Sequence, residues 1–284
     1  MGGGVLDGLI GRASEVLGRR LELVGRLSGG AHALTAMARD AGGTEYVVRR
    51  FPIGDPAVVE EVRVLDRLGS LGGLAPRLVA YDAGQTEAPI IVTTKLDGGP
   101  PSPDLSPFEI AAQLGSALAK IHTIDGRGLR RVPGTRPTGD GPAVEVDGEK
   151  GDQQERSGAV LVHYDFWCGN ALWRDGTLTG VVDWSGARQG PRAVDVAWCR
   201  QDLVLLGSPE SADHFLRVYE EQAGVEIDDV RAWDLDAARS ADGVVETWAV
   251  NYEGIGRPEI TGKVLRERLD GWIARLLDGN RPRQ

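Results

Sequence analysis

Asp165, Asn170 and Asp183 are the residues of this chain whose types and spacing best suit a chemical task. Asn170 lies five residues after Asp165, on the near side of an apolar run that begins at residue 171. Asp175-Gly176 is a strong hairpin signal, so residues 178–184 are predicted to return as a second strand. That returning strand carries Asp183 back towards Asn170, which predicts that the three side chains share one site.

The chemistry of these three side chains indicates phosphoryl transfer. Asp165 is placed to accept or orient the proton of an attacking hydroxyl. Asn170 offers a neutral oxygen and Asp183 an anionic one. Mg²⁺ prefers such hard oxygen donors and bridges the phosphates of nucleotides. The pattern therefore predicts a magnesium-dependent step between a nucleotide and a hydroxyl.

The composition is that of a globular protein without a nucleic-acid footprint. The 284 residues include 32 Lys+Arg and 42 Asp+Glu, so the net charge is −10, which argues against a phosphate backbone as partner. No apolar run approaches the roughly 18 residues of a membrane span, and no targeting signal is seen. The two cysteines, Cys168 and Cys199, suit neither a disulfide framework nor a four-ligand zinc site. We expect a cytoplasmic protein.

The first hundred residues read as short strands with one helix among them. Residues 58–68 repeat apolar positions at helical spacing. The glycine- and proline-rich run 97–103 breaks any regular element and predicts a boundary between domains. We therefore expect an N-terminal domain over 1–97, a linker over 98–105 and a C-terminal domain over 106–284. The predicted strands of the first domain are 21–27, 46–51, 77–83 and 89–95.

The second domain reads as mainly helical. Ser106-Pro107-Phe108-Glu109 is a capping box with proline at the first helical position. Residues 126–158 are rich in glycine, proline and charge, and loops of such length inside a domain are often functional. We expect this segment to be mobile and to border an acceptor pocket. Further helices are predicted over 191–207, 209–223, 229–253 and 259–278.

These motifs together resemble a known enzyme family. His163-x-Asp165-x-x-x-x-Asn170 with Asp183 is similar to the catalytic and metal-binding loops of the aminoglycoside phosphotransferase family, relatives of choline kinase and protein kinases. The resemblance extends in order over nearly the whole chain. It implies an α+β, protein-kinase-like fold of two lobes. The N-lobe would be a β-sheet with one main helix, and the larger helical C-lobe would contain a catalytic β-hairpin.

The resemblance also assigns nucleotide-binding residues to the N-terminal domain. Ser28-Gly29-Gly30 resembles the loop that covers the phosphates. Arg49 stands where the family has a phosphate-binding lysine, and Glu61 matches the ion-pair partner of that cation, with Glu60 as the rival. Thr94 and Leu96 correspond to the hinge whose backbone binds adenine.

Other matches imply structural roles or depart from the family. His163 and Asp195 correspond to residues that hold the catalytic loop without touching substrate. Arg49 keeps the positive charge of lysine, although its planar fork is not equivalent. Tyr164 replaces the usual glycine. The departures at 49 and 164 keep a non-catalytic nucleotide-binding protein open as an alternative.

The acceptor is the least determined part of the interpretation. Asp242, Glu246 and Glu253 fall on one face of the predicted helix 229–253 and would suit a polycationic acceptor, although a solvated surface explains them equally well. The resemblance implies γ-phosphoryl transfer from ATP, with GTP as the other nucleotide, to a hydroxyl of an aminoglycoside or other antibiotic. A metabolite kinase for choline, homoserine or an amino sugar would share the same catalytic residues. We expect a monomer or a homodimer.

Overall fold

The computed structural model describes residues 3–27, 33–84, 87–133, 135–136, 144–145 and 159–278. The predicted phosphate loop Ser28-Gly29-Gly30 and most of the predicted acceptor loop 126–158 lie outside the described residues. Two compact units are distinguished by their internal contacts. The N-terminal unit comprises Met1–Asp97 and Gly180–Ser185, and the C-terminal unit comprises Gly98–Thr179 and Gly186–Gln284.

An antiparallel five-stranded sheet forms the centre of the N-terminal unit, with strand order β1-β2-β3-β5-β4. The four strands predicted from the sequence are confirmed. β2 was missed because its buried residues, Ala36 and Ala38, are too small to produce a strong apolar alternation. The strands are β1 Leu21–Leu27, β2 Leu34–Asp40, β3 Glu45–Arg50, β4 Leu78–Asp82 and β5 Ile90–Thr94.

In the described part of the N-terminal unit, two α-helices accompany this sheet, where the sequence analysis expected one. The predicted helix is confirmed as α2, Ala57–Leu65, and is followed by a 3-10 segment, Leu68–Leu74. The expectation of a single helix is wrong, because α1 spans Gly3–Leu17. Leu9 and Ile10 of α1 are buried against the sheet, and this packing stabilises a glycine-containing segment of weak intrinsic helix propensity.

The C-terminal unit begins with α3, Pro107–Ile121, and the predicted capping box is present. Ser106 Oγ accepts from the Glu109 backbone N–H at 3.2 Å, and Glu109 Oε2 accepts from the Ser106 backbone N–H at 2.9 Å. α3 packs along α5, where Gly115 lies against the backbone at Phe215 and Tyr219. Further helices are α4 Ala193–Leu205, α5 Pro209–Ala223, α6 Val230–Asp242, α7 Ala249–Gly254 and α8 Gly262–Asp278.

Short strands position the central motif. The predicted hairpin is confirmed: β9 and β10 flank Asp175 and Gly176, which have φ of 50° and 76°, the left-handed values a tight hairpin turn needs. β8 pairs antiparallel with β11, a strand that sequence analysis missed because it is three residues long. The strands are β6 Thr135–Arg136, β7 Val144–Glu145, β8 Val160–Val162, β9 Ala171–Arg174, β10 Thr177–Val181 and β11 Arg188–Gly190.

The helix predicted over 229–253 is not continuous. α6 ends at Asp242, Gly243 follows as its C-cap, and Val244 leaves the helical region with a φ of −138°. A 3-10 turn, Val245–Trp248, then leads into α7. Glycine is a weak helix former, and the break at this point redirects the chain.

Candidate active site

Asp195 of α4 holds the backbone of the two residues that precede Asp165 in the sequence. Its carboxylate accepts from the backbone N–H of His163 at 2.6 Å and of Tyr164 at 2.7 Å. The same group lies 3.2 Å from His122 Nε2, and His122 Nδ1 lies 2.8 Å from the Tyr219 hydroxyl. Burial lowers the pKa of His122, so the neutral ring donates to Asp195 and accepts from Tyr219. Asp195 therefore fixes the chain that enters the candidate site.

Asp165 and Asn170 are brought together by direct hydrogen bonds. Asn170 Nδ2 donates to the Asp165 backbone carbonyl at 2.8 Å and to Asp165 Oδ2 at 2.9 Å. Both residues are half-buried. With Nδ2 engaged in this way, the amide oxygen of Asn170 is the atom that faces away from Asp165.

A second carboxylate of α4, which the sequence analysis missed, holds the same loop from the other side. Asp202 Oδ2 accepts from the Cys168 backbone N–H at 3.3 Å, and Oδ1 accepts from the Tyr252 hydroxyl at 2.8 Å. The Trp167 ring lies edge-on to Tyr252, with centroids 5.8 Å apart. Burial raises the pKa of Asp202 to about 6. Its position seven residues after Asp195 puts both on one helix face, and this spacing was the available signal.

Asp183 belongs to the N-terminal unit. It follows β10 with a left-handed φ of 60°, and its Oδ1 accepts from Ser185 Oγ at 2.7 Å. The neighbouring Trp184 is buried and its Nε1 donates to the Val181 carbonyl at 2.9 Å, which anchors the turn. A strained non-glycine backbone of this kind is frequent at functional sites.

Arg49 and Glu61 form a hydrogen-bonded ion pair in the same unit. The exposed fractions of the two side chains are 14% and 4%, so the pair is largely desolvated. Burial raises the pKa of Glu61, the Arg49 guanidinium opposes that effect, and the Asp183 carboxylate adds to it. This influence means that Asp183 lies near the pair. Glu60 instead pairs with Arg63 at 2.8 Å on the exposed face of α2.

The predicted hinge follows β5. Thr94 Oγ1 accepts from the Arg77 backbone N–H at 2.9 Å, so its side chain is occupied in tying β4 to β5. The Leu96 side chain packs against Gly180. Within the described residues, the Leu96 main chain makes no hydrogen bond.

The three acidic residues predicted to contact an acceptor do not share a helix face. Asp242 ends α6, Glu246 lies in the 3-10 turn and Glu253 lies on α7, so that prediction of a common face is wrong. Arg266 of α8 pairs with Asp242 Oδ1 and with Glu246 Oε1, each at 2.6 Å. Two of the three carboxylates are thus neutralised within the protein.

The described residues contain no group of three or more His, Cys, Asp and Glu side chains arranged around a metal position. None of the helices in the described ranges has the length and apolarity needed to cross a bilayer.

The fold and the site are those of the class of kinase-like phosphotransferases. This class combines an antiparallel sheet unit with a helical unit, and here the loop carries the Asp165–Asn170 pair. The model of the phosphotransferase enzyme family, abbreviated APH, matches residues 24–156 and 149–233. The chain therefore belongs to this family and is a small-molecule phosphotransferase. No match was found among curated proteins.

Solved structures share the fold over nearly the full length. Macrolide 2′-phosphotransferase MphH from Brachybacterium faecium has 19% identity and a TM-score of 0.59, over 99% of both chains. Amicoumacin kinase hAmiN, solved with AMP-PNP, Ca²⁺ and its Ami ligand, has 12% identity and a TM-score of 0.60, over 95% of this chain and 96% of that one. A thermostable mutant of aminoglycoside phosphotransferase APH(4)-Ia, with ADP and hygromycin B, has 16% identity and a TM-score of 0.56, over 94% and 98%. The predicted α+β kinase-like fold is confirmed.

Proposed function

We propose that this phosphotransferase moves the γ-phosphoryl group of ATP, in a Mg²⁺-dependent reaction, to a hydroxyl of a small molecule. The observation that carries the proposal is the hydrogen-bonded Asp165–Asn170 pair in a loop fixed by Asp195. Asp183 beside the Arg49–Glu61 pair supports it from the N-terminal unit.

Asp165 orients the acceptor in this proposal. Its carboxylate is half-buried, and the bond from Asn170 Nδ2 restricts its rotation. Phosphoryl transfer depends mainly on positioning, because the transition state needs little covalent help from the protein. A carboxylate held in one orientation fits that need, since it can accept the proton of the attacking hydroxyl.

Asn170 and Asp183 hold the metal ion in this proposal. The Asn170 amide oxygen and the Asp183 carboxylate are the hard oxygen donors that suit Mg²⁺. When bound, the ion neutralises charge on the nucleotide phosphates. The hydrogen bonds from Asn170 Nδ2 to Asp165 support this role, because they turn the amide oxygen of Asn170 away from Asp165.

Arg49 and Leu96 bind the nucleotide in this proposal. The pair with Glu61 restricts the Arg49 side chain, and its guanidinium retains further donors for phosphate oxygens. Within the described residues, the N–H and carbonyl of Leu96 make no hydrogen bond, so they suit the edge of adenine. GTP is the alternative nucleotide, and a comparison of turnover with ATP and GTP decides between them.

An antibiotic is the proposed acceptor class, because structurally similar proteins include a macrolide 2′-phosphotransferase and an amicoumacin kinase. The engagement of Asp242 and Glu246 with Arg266 weakens the argument for a polycationic aminoglycoside. A metabolite kinase remains the second candidate, since it would use the same catalytic residues.

A screen for ATP consumption tests the proposal. The purified protein is incubated with Mg-ATP and aminoglycosides, macrolides, peptide antibiotics, amino alcohols and sugars, and product mass is measured for phosphoryl gain. One phosphorylated antibiotic supports the proposal, and a phosphorylated metabolite alone supports the second candidate. Binding of Mg-ATP without any phosphorylated product would identify a non-catalytic nucleotide-binding protein.

A further inference from the structure

Within the described residues, two arginines beside the catalytic loop make no ion pair, in a protein with a net charge of −10. In the described ranges, neither Arg188 of β11 nor Arg130 forms an ion pair with a carboxylate. The backbone N–H of Gln189, adjacent to Arg188, donates to the Arg130 carbonyl at 2.8 Å. Burial lowers the pKa of Arg188, Tyr164 opposes this effect, and the charge of Arg130 adds to it. Arg188 is half-buried and Arg130 is exposed. A half-buried positive charge without a carboxylate partner is stabilised when an anion binds it.

The Arg188 guanidinium is held in place by the ring of Tyr164. Its central carbon lies 3.9 Å from the ring centroid, and its Nε donates to the Gly186 carbonyl at 2.8 Å. These contacts fix the Nε side of the guanidinium. Within the described residues, its two terminal nitrogens make no hydrogen bond, so both can bind a ligand. A guanidinium stacked in this way loses little further freedom when it binds an anion.

Tyr164 adopts a backbone conformation that favours glycine. Its φ is 68°, in the left-handed region, where a side chain with a Cβ is strained. The family resemblance has glycine at this position, so the strain is a feature of this chain. Strained residues concentrate at functional sites, and the ring is the part of Tyr164 that a glycine would lack.

The basic pair lies next to the residue that orients the acceptor. Tyr164 directly precedes Asp165, and a Cβ built at Gly186 would lie 3.9 Å from Tyr164 Cβ. Arg188 therefore extends from a strand that packs against the start of the catalytic loop. We propose that Arg188, supported by Arg130, binds an anionic group of the acceptor, such as a carboxylate, sulfate or phosphate. The assignment of the anion to the acceptor rests on the proposed function, whereas the anion site itself does not.

Sulfate binding tests the site without any nucleotide. Sulfate is titrated into the wild type and into Arg188→Gln, which removes the charge, with Arg217→Gln on the exposed face of α5 as the matched control. We expect the Arg188→Gln variant to bind sulfate about 10- to 100-fold more weakly, the range of a charge-assisted hydrogen bond. The Arg217→Gln variant should bind like the wild type. The proposal would be overturned if the wild type did not bind sulfate or if Arg188→Gln bound it equally well. Equal binding by all three proteins would mean an adventitious ion only, which also overturns the proposal.

Steady-state kinetics then assigns the anion to the acceptor. Glucuronate, glucose 6-phosphate, glucose and glucosamine are compared, together with any acceptor found in the screen, as substrates and as inhibitors. We expect anionic compounds to bind more tightly than their neutral and cationic analogues, with Arg188→Gln raising KM or Ki for anions alone. An equal fall in kcat for every acceptor would instead assign Arg188 to the transferred phosphoryl group and contradict the proposal.

The two arms separate failure of this inference from failure of the proposed function. A protein that binds sulfate through Arg188 but phosphorylates nothing would refute the proposed activity and retain the anion site. Tyr164→Gly provides a second variant, because it keeps the arginine and removes the ring. It should lower sulfate affinity several-fold, whereas unchanged affinity would show that the ring does not hold Arg188 for binding.

Discussion

At the scale of single residues, Asp165 and Asp183 have different surroundings. Asp165 is bonded to Asn170 in the C-terminal unit, whereas Asp183 lies near Glu61 and Arg49 in the N-terminal unit. Two carboxylates with different neighbours are suited to different tasks. The proposed division assigns the acceptor to Asp165 and the metal to Asp183.

Alanine variants of the two aspartates test this division. Asp165→Ala should bind Mg-ATP nearly as well as the wild type but lose about 10²- to 10⁴-fold in turnover, since it removes the group that orients the hydroxyl. Asp183→Ala should lose Mg²⁺-dependent nucleotide binding as well, because the cation loses its anionic ligand. Calorimetry with Mg-ATP and a turnover assay measure both effects. Loss of nucleotide binding in a folded Asp165→Ala, with Asp183→Ala unaffected, would reverse the assignment.

Asp202 makes the stability of the protein depend on pH. Its pKa is about 6 in the folded protein against an ordinary 3.8, so the folded state binds this proton more tightly than the unfolded state. The contribution of Asp202 to the free energy of unfolding therefore falls as pH rises from about 4 to about 6 and is level above. A difference of about two pKa units corresponds to roughly 3 kcal/mol.

Urea unfolding between pH 4 and pH 7 measures this slope. Asp202→Asn should remove that part of the pH dependence, whereas Asp104→Asn, at an exposed position, should keep it. Identical slopes in the wild type and Asp202→Asn would show that burial does not hold the proton on Asp202.

At the scale of elements, close helix packing supports the catalytic loop. α3 presents His122 at its C-terminal end, and α5 presents Tyr219, so these helices hold the partners of Asp195. Gly115 allows the close approach, because an added Cβ would lie 3.0 Å from the Phe215 carbonyl oxygen and 3.2 Å from the Tyr219 nitrogen. Backbone atoms at such distances cannot rotate away.

Gly115→Ala should therefore destabilise the protein. We expect a loss of about 1–3 kcal/mol in the free energy of unfolding, because the helices must separate to accept the methyl group. Gly271→Ala is the control, since its Cβ would meet no atom within 4 Å and alanine favours the helix by about 0.5–1 kcal/mol. Denaturant titration measures both, and stabilisation by Gly115→Ala would contradict the packing argument.

At the scale of the whole molecule, the chain divides so that Gly180–Ser185 joins the N-terminal unit although Asn170 remains in the C-terminal one. The metal aspartate of the proposal is thus part of the sheet unit that carries Arg49 and Leu96. A nucleotide that binds these residues binds only the folded protein. Its binding should therefore raise the free energy of unfolding.

Thermal unfolding with Mg²⁺ and AMP-PNP tests this linkage. At a ligand concentration about 100-fold above Kd, binding stabilises the folded state by about 2.7 kcal/mol. For a chain of this size, that corresponds to a rise in Tm of several degrees, at roughly 2–4 °C per kcal/mol. Asp165→Ala should show the same rise and Asp183→Ala almost none. A rise that is equal in both variants would remove Asp183 from the nucleotide site.

Local chemistry was sufficient to predict much of the chain from its sequence. The capping box at Ser106 and Glu109 and the turn at Asp175-Gly176 depend on neighbours along the chain, so both were predicted correctly. The order of Asp165, Asn170 and Asp183 was enough to suggest the family. The catalytic, nucleotide and metal roles of these residues stay predictions.

Only the tertiary structure decided which distant groups meet. Asp202 contacts the backbone of Cys168 from 34 positions away, and Arg266 reaches Glu246 from 20 positions away. The spacing of Asp195 and Asp202 places both on one helix face but does not identify the partner of Asp202. A carboxylate on a predicted helix looks the same in the sequence whether it is solvated or bound to a distant group. The stacking of Arg188 on Tyr164 depends in the same way on the folded chain, since a ring and a guanidinium attract each other only where the backbone brings them together.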